Sequence, residues 1–223
     1  MRAKKAKTEL RRTQIASAAL SLVERHGLRG LNCARLAQAV GVVPSALYRH
    51  YPDKDRVIDA VLDLIQGRMA ENVAMARTET GNALHRLRAL LDRHVALVLK
   101  SSFIPRVVFS EEMLQRDSAH SQRMYQIVDQ YLFGVEAIIR EGQIEGAVRT
   151  DIDPKAARQL FLGVIQPSIL LWTMSDGRFD LRAQTEACWL LFIQAIGTAA
   201  EAQRQTNLAS TRMTDAARKD QKT

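Results

Sequence analysis

The sequence has little of what marks several protein classes. Two cysteines, Cys33 and Cys188, in 223 residues exclude a scaffold built on disulfides. Aromatic residues make up only 5%, while Ala, Leu and Arg are abundant, a balance that leans toward helix. The most apolar run, residues 160–174, is shorter than the roughly 20 residues a membrane span needs. Gln166 and Pro167 also interrupt it. The basic start (Arg2, Lys4, Lys5, Lys7) leads into an amphipathic stretch without the apolar core of a secretory signal. An Arg-rich transit segment is the other reading of that start; the expectation is a soluble cytoplasmic protein. No stretch of four or more residues alternates convincingly with period two, so no sheet is expected.

Catalytic signatures are missing too. There is no GxSxG, no phosphate-binding glycine loop and no paired His/Cys spacing for zinc. The histidines His26, His50, His85, His94 and His120 are scattered. The expectation is a protein that is not an enzyme and carries no metal and no cofactor.

What is present is an apolar share of 47%, enough for a buried core, and a net charge of +8 that is unevenly placed. Residues 1–60 hold 12 Lys and Arg against 5 Asp and Glu; residues 61–200 hold 15 against 16; residues 201–223 hold 5 against 3. A basic module is therefore joined to a nearly neutral one. Strong basic charge confined to one module suits a polyanion such as nucleic acid.

Apolar spacing and stop signals divide the chain into helices. Ile15, Ala18, Ala19, Leu22 and Val23 form one face of a helix over residues 8–26, which Gly27 ends. Asn32 is a good cap for a short helix that stops at Gly41. Pro44 then fits the first position of another, reaching residue 51. Asp53 can cap a long helix over residues 54–77. Further helices are expected at 82–101, 105–115, 119–141, 155–174 and 181–204, with an aperiodic tail at 205–223. This predicts an all-α protein: a basic arm and helix-turn-helix domain at residues 1–53, a helical regulatory and dimerisation domain at 54–204, and the tail.

Two short helices joined by a glycine-containing turn have the layout of a helix-turn-helix. Ala37 is small where the helices cross, Gly41 supplies the turn, and Leu36, Val42 and Leu47 can lock the second helix onto the first. The outward face then carries Pro44, Ser45, Arg49 and His50. Arginine reads guanine edges in a major groove and also binds phosphate, so Arg49 has two readings. His50 suits a phosphate contact or a packing role. Arg11 and Arg12 suit a minor-groove arm or one that adds only screened attraction.

His26-Gly27-Leu28, Leu31, Leu36-Ala37, Gly41-Val42, Leu47 through Tyr51 and Asp53-Lys54 together resemble the DNA-binding domain of the tetracycline-repressor-like (TetR) regulators. The resemblance covers about residues 8–65. It implies a homodimer on double-stranded operator DNA, with the second helix in the major groove. It also implies phosphate contacts from Tyr48 and from Lys54 at the start of the long helix, where the helix dipole assists. The candidate DNA contacts are Arg35, Val43, Pro44, Ser45, Tyr48, Arg49, His50 and Lys54. Two departures stand out: Val43 replaces a capping Ser or Thr, and Asn32 with Cys33 replaces threonines.

The resemblance further implies a small-molecule effector, of largely apolar character, in the helical domain. Candidate ligand-facing residues are His94, Phe109, Tyr125, Gln166 and Trp172, polar or aromatic groups on otherwise apolar faces. Pro167 beside Gln166 leaves a carbonyl without its helical partner. Glu111 and Glu112 read either as a cation-recognising pair or as a solvated acidic face. Leu160, Val164 and Leu171, with Cys188, Leu191, Phe192, Ala195, Ile196 and Ala199, make faces apolar enough to pair two subunits through four helices. The expected function is a repressor released from its operator by the effector. The rival is a DNA-bound protein of the same fold whose C-terminal domain docks a protein partner.

Overall fold

The computed structural model describes residues 2–115 and 118–204, with side chains from residue 14 onward. The expected tail at 205–223 and the side chains of Arg11 and Arg12 lie outside the described residues. The helices in order are α1 (Arg2–His26), α2 (Cys33–Val40), α3 (Pro44–Tyr48), α4 (Lys54–Arg77), α5 (Ala83–Lys100), α6 (Phe103–Val108), α7 (Glu111–Leu114), α8 (Ala119–Ile144), α9 (Pro154–Met174) and α10 (Leu181–Ile196). A 3₁₀ turn, Leu28–Gly30, follows α1. The architecture is all-α as the apolar spacing predicts, with no strand among the described residues.

Local signals account for most boundaries. Asn32 Oδ1 accepts from the Arg35 amide at 2.9 Å and starts α2. Gly41 closes it with a left-handed φ of 71°, a conformation costly for any residue with a Cβ. Asp53 caps α4 through the Arg56 amide at 2.8 Å. Asp153 and Asp180 cap α9 and α10. Helix α1 begins at Arg2, six residues before the expected start at residue 8, since the Ala and Lys preceding Thr8 favour helix.

Three expected helices differ. The one expected at 105–115 is two short helices parted at Phe109-Ser110. The helix ending α3 stops at Tyr48 rather than 51. The last expected helix breaks at Gly197, which forms an isolated antiparallel bridge with Val148. The Arg149 amide bonds the Ile196 carbonyl at 2.9 Å and the Thr198 amide bonds Ala147 at 3.1 Å, so a distant segment captures the backbone there.

The chain forms two compact units: Met1–Glu71 with Ala96–Asp129, and Asn72–Val95 with Gln130–Thr223. In the first, one apolar core runs from Ile15, Ala19 and Val23 of α1 through Leu36, Ala37 and Leu47 to Val57, Val61 and Leu62 of α4. Phe103, Ile104 and Val107 of α6 and Met113 of α7 belong to it. In the second, Leu84, Leu87, Val135, Ile138, Phe161, Trp189 and Phe192 are all buried. The Phe161 and Phe192 rings meet edge to face at 5.6 Å, binding α9 to α10.

Close helix contact in the second unit depends on Gly142 of α8. A Cβ there would lie 2.6 Å from Val148 Cγ2 and 2.7 Å from Ala83 Cβ. Neither neighbour can swing away freely, so Gly142→Ala is expected to cost about 1–3 kcal/mol, read as a lower urea midpoint with an unchanged slope.

Candidate nucleic-acid interface

The turn between α2 and α3 is fixed by backbone bonds. The Gly41 amide reaches Gln38 at 3.1 Å and the Val42 amide reaches Ala37 at 2.9 Å. Val43 occupies the cap position of α3 in an extended conformation and makes no side-chain cap bond. Pro44 follows at the first helical position, so its fixed φ organises that end in place of a hydroxyl.

Leu47 is fully buried and turns α3 against the core. The opposite face is open. Val43 is 63% and Tyr48 49% exposed, and Pro44, Ser45 and Arg49 are exposed beside them. Arg35 is exposed on α2, with its guanidinium 3.4 Å from the Gly30 carbonyl. His50 is half-buried. The Tyr48 hydroxyl is hydrogen-bonded to the Cys33 thiol, which with the sulfur's charge interaction and slight burial raises its pKa above the usual phenol value. Tyr48 is thus a neutral donor at physiological pH, suited to a phosphate oxygen. Cys33 replaces a threonine expected from the resemblance. Lys54 stands at the N-terminus of α4, with its ammonium 4.0 Å from a Glu112 carboxylate oxygen.

The residues expected to face an effector divide between the two compact units. Phe109 and Tyr125 belong to the first compact unit; His94, Gln166 and Trp172 belong to the second. Tyr125 is 71% exposed and lines no interior, because it lies on the outer side of α8. The buried aromatic of α8 is Tyr131. Its hydroxyl shares a hydrogen bond of 3.2 Å with His94 Nδ1, and the rings meet edge to face at 5.5 Å. Burial lowers the His94 pKa to about 4, so the imidazole is neutral near pH 7. The same burial pushes the Tyr131 hydroxyl well above its ordinary value. Gln166 and Trp172 are half-buried on α9, which continues through Pro167.

Two features escape sequence reasoning. Tyr131 reads as one more member of an apolar stripe, though a buried tyrosine demands a hydroxyl partner. Asn72 on α4 has a buried amide nitrogen with no hydrogen-bond partner, and nothing in its local sequence signals that.

The faces expected to pair subunits also divide. Val164, Phe192 and Ile196 are buried within the unit. Leu160, Leu171 and Leu191 remain exposed, joined by Met174. None of the described helices is long and apolar enough to cross a membrane.

A basic, helix-turn-helix head on an all-helical body defines a DNA-binding protein. Comparison with known proteins is specific about its kind. Residues 15–61 match the bacterial regulatory proteins of the tetR family, and residues 64–195 match the C-terminal region of YsiA-like proteins. The chain belongs to the tetR family and is a DNA-binding transcriptional regulator. It is similar to the fatty acid metabolism regulator protein of Bacillus subtilis, at 23% identity over 82% of this chain and 94% of that one. It is also similar to the nucleoid occlusion factor SlmA of Vibrio vulnificus, at 24% identity over 81% of this chain and 93% of that one. Among solved structures, the regulator FadR from Bacillus subtilis in complex with stearoyl-CoA aligns with a TM-score of 0.73 and 23% identity, over 81% of this chain and 97% of that one.

Proposed function

We propose that the protein is a cytoplasmic, non-enzymatic, homodimeric repressor released from its operator by a small molecule with a long apolar chain. A fatty acyl thioester is the first class to test. The observation that carries the DNA half is the open side of α3, where Tyr48 and Arg49 are exposed while Leu47 is buried against the core. Val43, Pro44 and Ser45 approach base edges there, while Tyr48, Lys54, Arg35 and His50 hold phosphates. Arg49 reads a base.

The effector half draws support from the similarity to the fatty acid metabolism regulator of Bacillus subtilis and to the Bacillus subtilis FadR structure, which was solved with stearoyl-CoA. It draws further support from the second unit's interior. His94, Tyr131 and the unpartnered Asn72 amide are neutral groups among apolar side chains, suited to an uncharged carbonyl rather than an ionised head group. Leu160, Leu171, Met174 and Leu191 are among the exposed apolar residues available for a second subunit to cover. Effector binding lowers DNA affinity by favouring a dimer whose heads no longer match the operator.

The test is competition between genomic fragments and bulk DNA for the purified protein at two salt concentrations, with and without stearoyl-CoA. At least one fragment should outcompete bulk DNA and lose that advantage when the acyl thioester is added. Arg49→Ala is expected to relax base preference within each half-site by about 1–3 kcal/mol. A uniform loss across all sequences would assign Arg49 to phosphate alone.

A further inference from the structure

Of the two acidic residues, Glu111 is a solvated carboxylate and Glu112 is partly shielded. They form the first turn of α7, a four-residue helix anchored by Met113, which is buried in the core of the DNA-binding head. The Glu111 carboxylate pairs with Arg29 of the 3₁₀ turn. The Glu112 carboxylate lies 4.0 Å from the Lys54 ammonium, and both side chains are partly shielded, at 25% and 38% exposure. Lys54 is also the first residue of α4, where the positive end of the helix dipole favours an anion. A carboxylate therefore stands beside the cation that a phosphate oxygen would approach.

We infer that Glu112 is a built-in competitor for the phosphate-contacting Lys54 ammonium and thereby sets the head's affinity for DNA, with Glu111 adding only negative charge nearby. This rests on the reading of Lys54 as a phosphate contact. One ammonium cannot hold a carboxylate and a phosphate at full strength, so DNA binding must first loosen the Lys54–Glu112 pair. The contest weakens every sequence equally, because it is fought over the backbone and not the bases. It suits a regulator that must leave bulk DNA readily while base contacts keep it at its operator.

The experiment is fluorescence anisotropy of the full chain on a random-sequence duplex at two salt concentrations. The variants are Lys54→Gln, Glu112→Gln, Glu111→Gln, the double variant Lys54→Gln/Glu112→Gln, and Asp55→Asn as a control for general loss of negative charge. Circular dichroism and urea midpoints confirm folding, with Glu112→Ala as a second route to the same loss of charge. Lys54→Gln should weaken binding and lower the salt slope by about 1 per head. Glu112→Gln should tighten binding about two- to tenfold at low salt, with the gain shrinking as salt rises. Glu111→Gln should give a smaller gain, since its carboxylate is more exposed. In the Lys54→Gln background the Glu112 gain should fall to that of the Asp55 control. A Glu112 gain that persists undiminished without Lys54, or no gain at all, overturns the inference while leaving the repressor reading intact. Lys54→Gln with unchanged affinity removes the phosphate contact itself, and the inference with it.

Discussion

Truncating Leu47 to alanine is expected to destabilise the first compact unit by about 3 kcal/mol and to abolish DNA binding. The stability loss follows from deleting three buried carbons of a fully buried side chain in a close-packed core. The functional loss follows from the length of α3. Five residues make barely more than one turn, far below what holds a helix together alone in water. The helix exists because Pro44 starts it and Leu47 pins it against Leu36 and Ala37. With the pin gone, Tyr48 and Arg49 lose their fixed bearing, and the phosphate and base contacts lose their mutual register. Urea unfolding followed by circular dichroism measures the first effect, and anisotropy on the selected operator measures the second. A variant that binds DNA like the parent would show that α3 is held by something other than this contact.

Acid is expected to destabilise the second unit by about 3 kcal/mol through His94 alone. An unfolded chain protonates this histidine near its ordinary value of 6.5, whereas in the folded protein burial holds it neutral down to about 4. The folded pKa is therefore depressed for a base, and the unfolded state binds the proton first. Stability is fully present above pH 6.5, falls as pH drops from 6.5 toward 4, and levels off below that. Both tryptophans, Trp172 and Trp189, lie in the second unit, so their fluorescence reports its unfolding. Urea midpoints at several pH values across this window should fall with acid in the parent chain. In His94→Gln, which keeps a polar partner for the Tyr131 hydroxyl but cannot titrate, the fall should be much smaller. An equal acid loss in both chains would place the sensitive group elsewhere.

The features legible in the sequence are those with local causes. Asn32, Gly41, Pro44 and Asp53 each act on backbone within about one helical turn of themselves, and each marks the boundary it was expected to mark. The outward placement of Tyr48 and Arg49 follows from Leu47 by helical period alone. Features made by distant chain were not legible. Gly197 ends α10 because residues 147–149 bond its neighbours, and about 50 positions separate the partners. Glu111 and Glu112 find their cations at Arg29 and Lys54, so no local pattern reveals these pairings. Tyr125 and Tyr131 are six residues apart on α8, about 120° apart around the helix, so the period alone does separate these two. One is exposed and the other buried.

The charge asymmetry of the chain gains a physical meaning from these contacts. The head carries the excess of Lys and Arg, yet α7 brings two carboxylates from outside the first 60 residues onto it. A basic count taken along the sequence therefore overstates the cations free to meet DNA.

The central claim is that one chain couples operator binding to an apolar effector. That coupling is read from the affinity of the protein for its selected genomic fragment, by anisotropy at fixed salt, as stearoyl-CoA is titrated in. The fragment is expected to bind well above bulk DNA and its affinity to fall saturably with the acyl thioester, while CoA alone leaves it unchanged. A fragment that never outcompetes bulk DNA, or an affinity indifferent to the acyl chain, would contradict it.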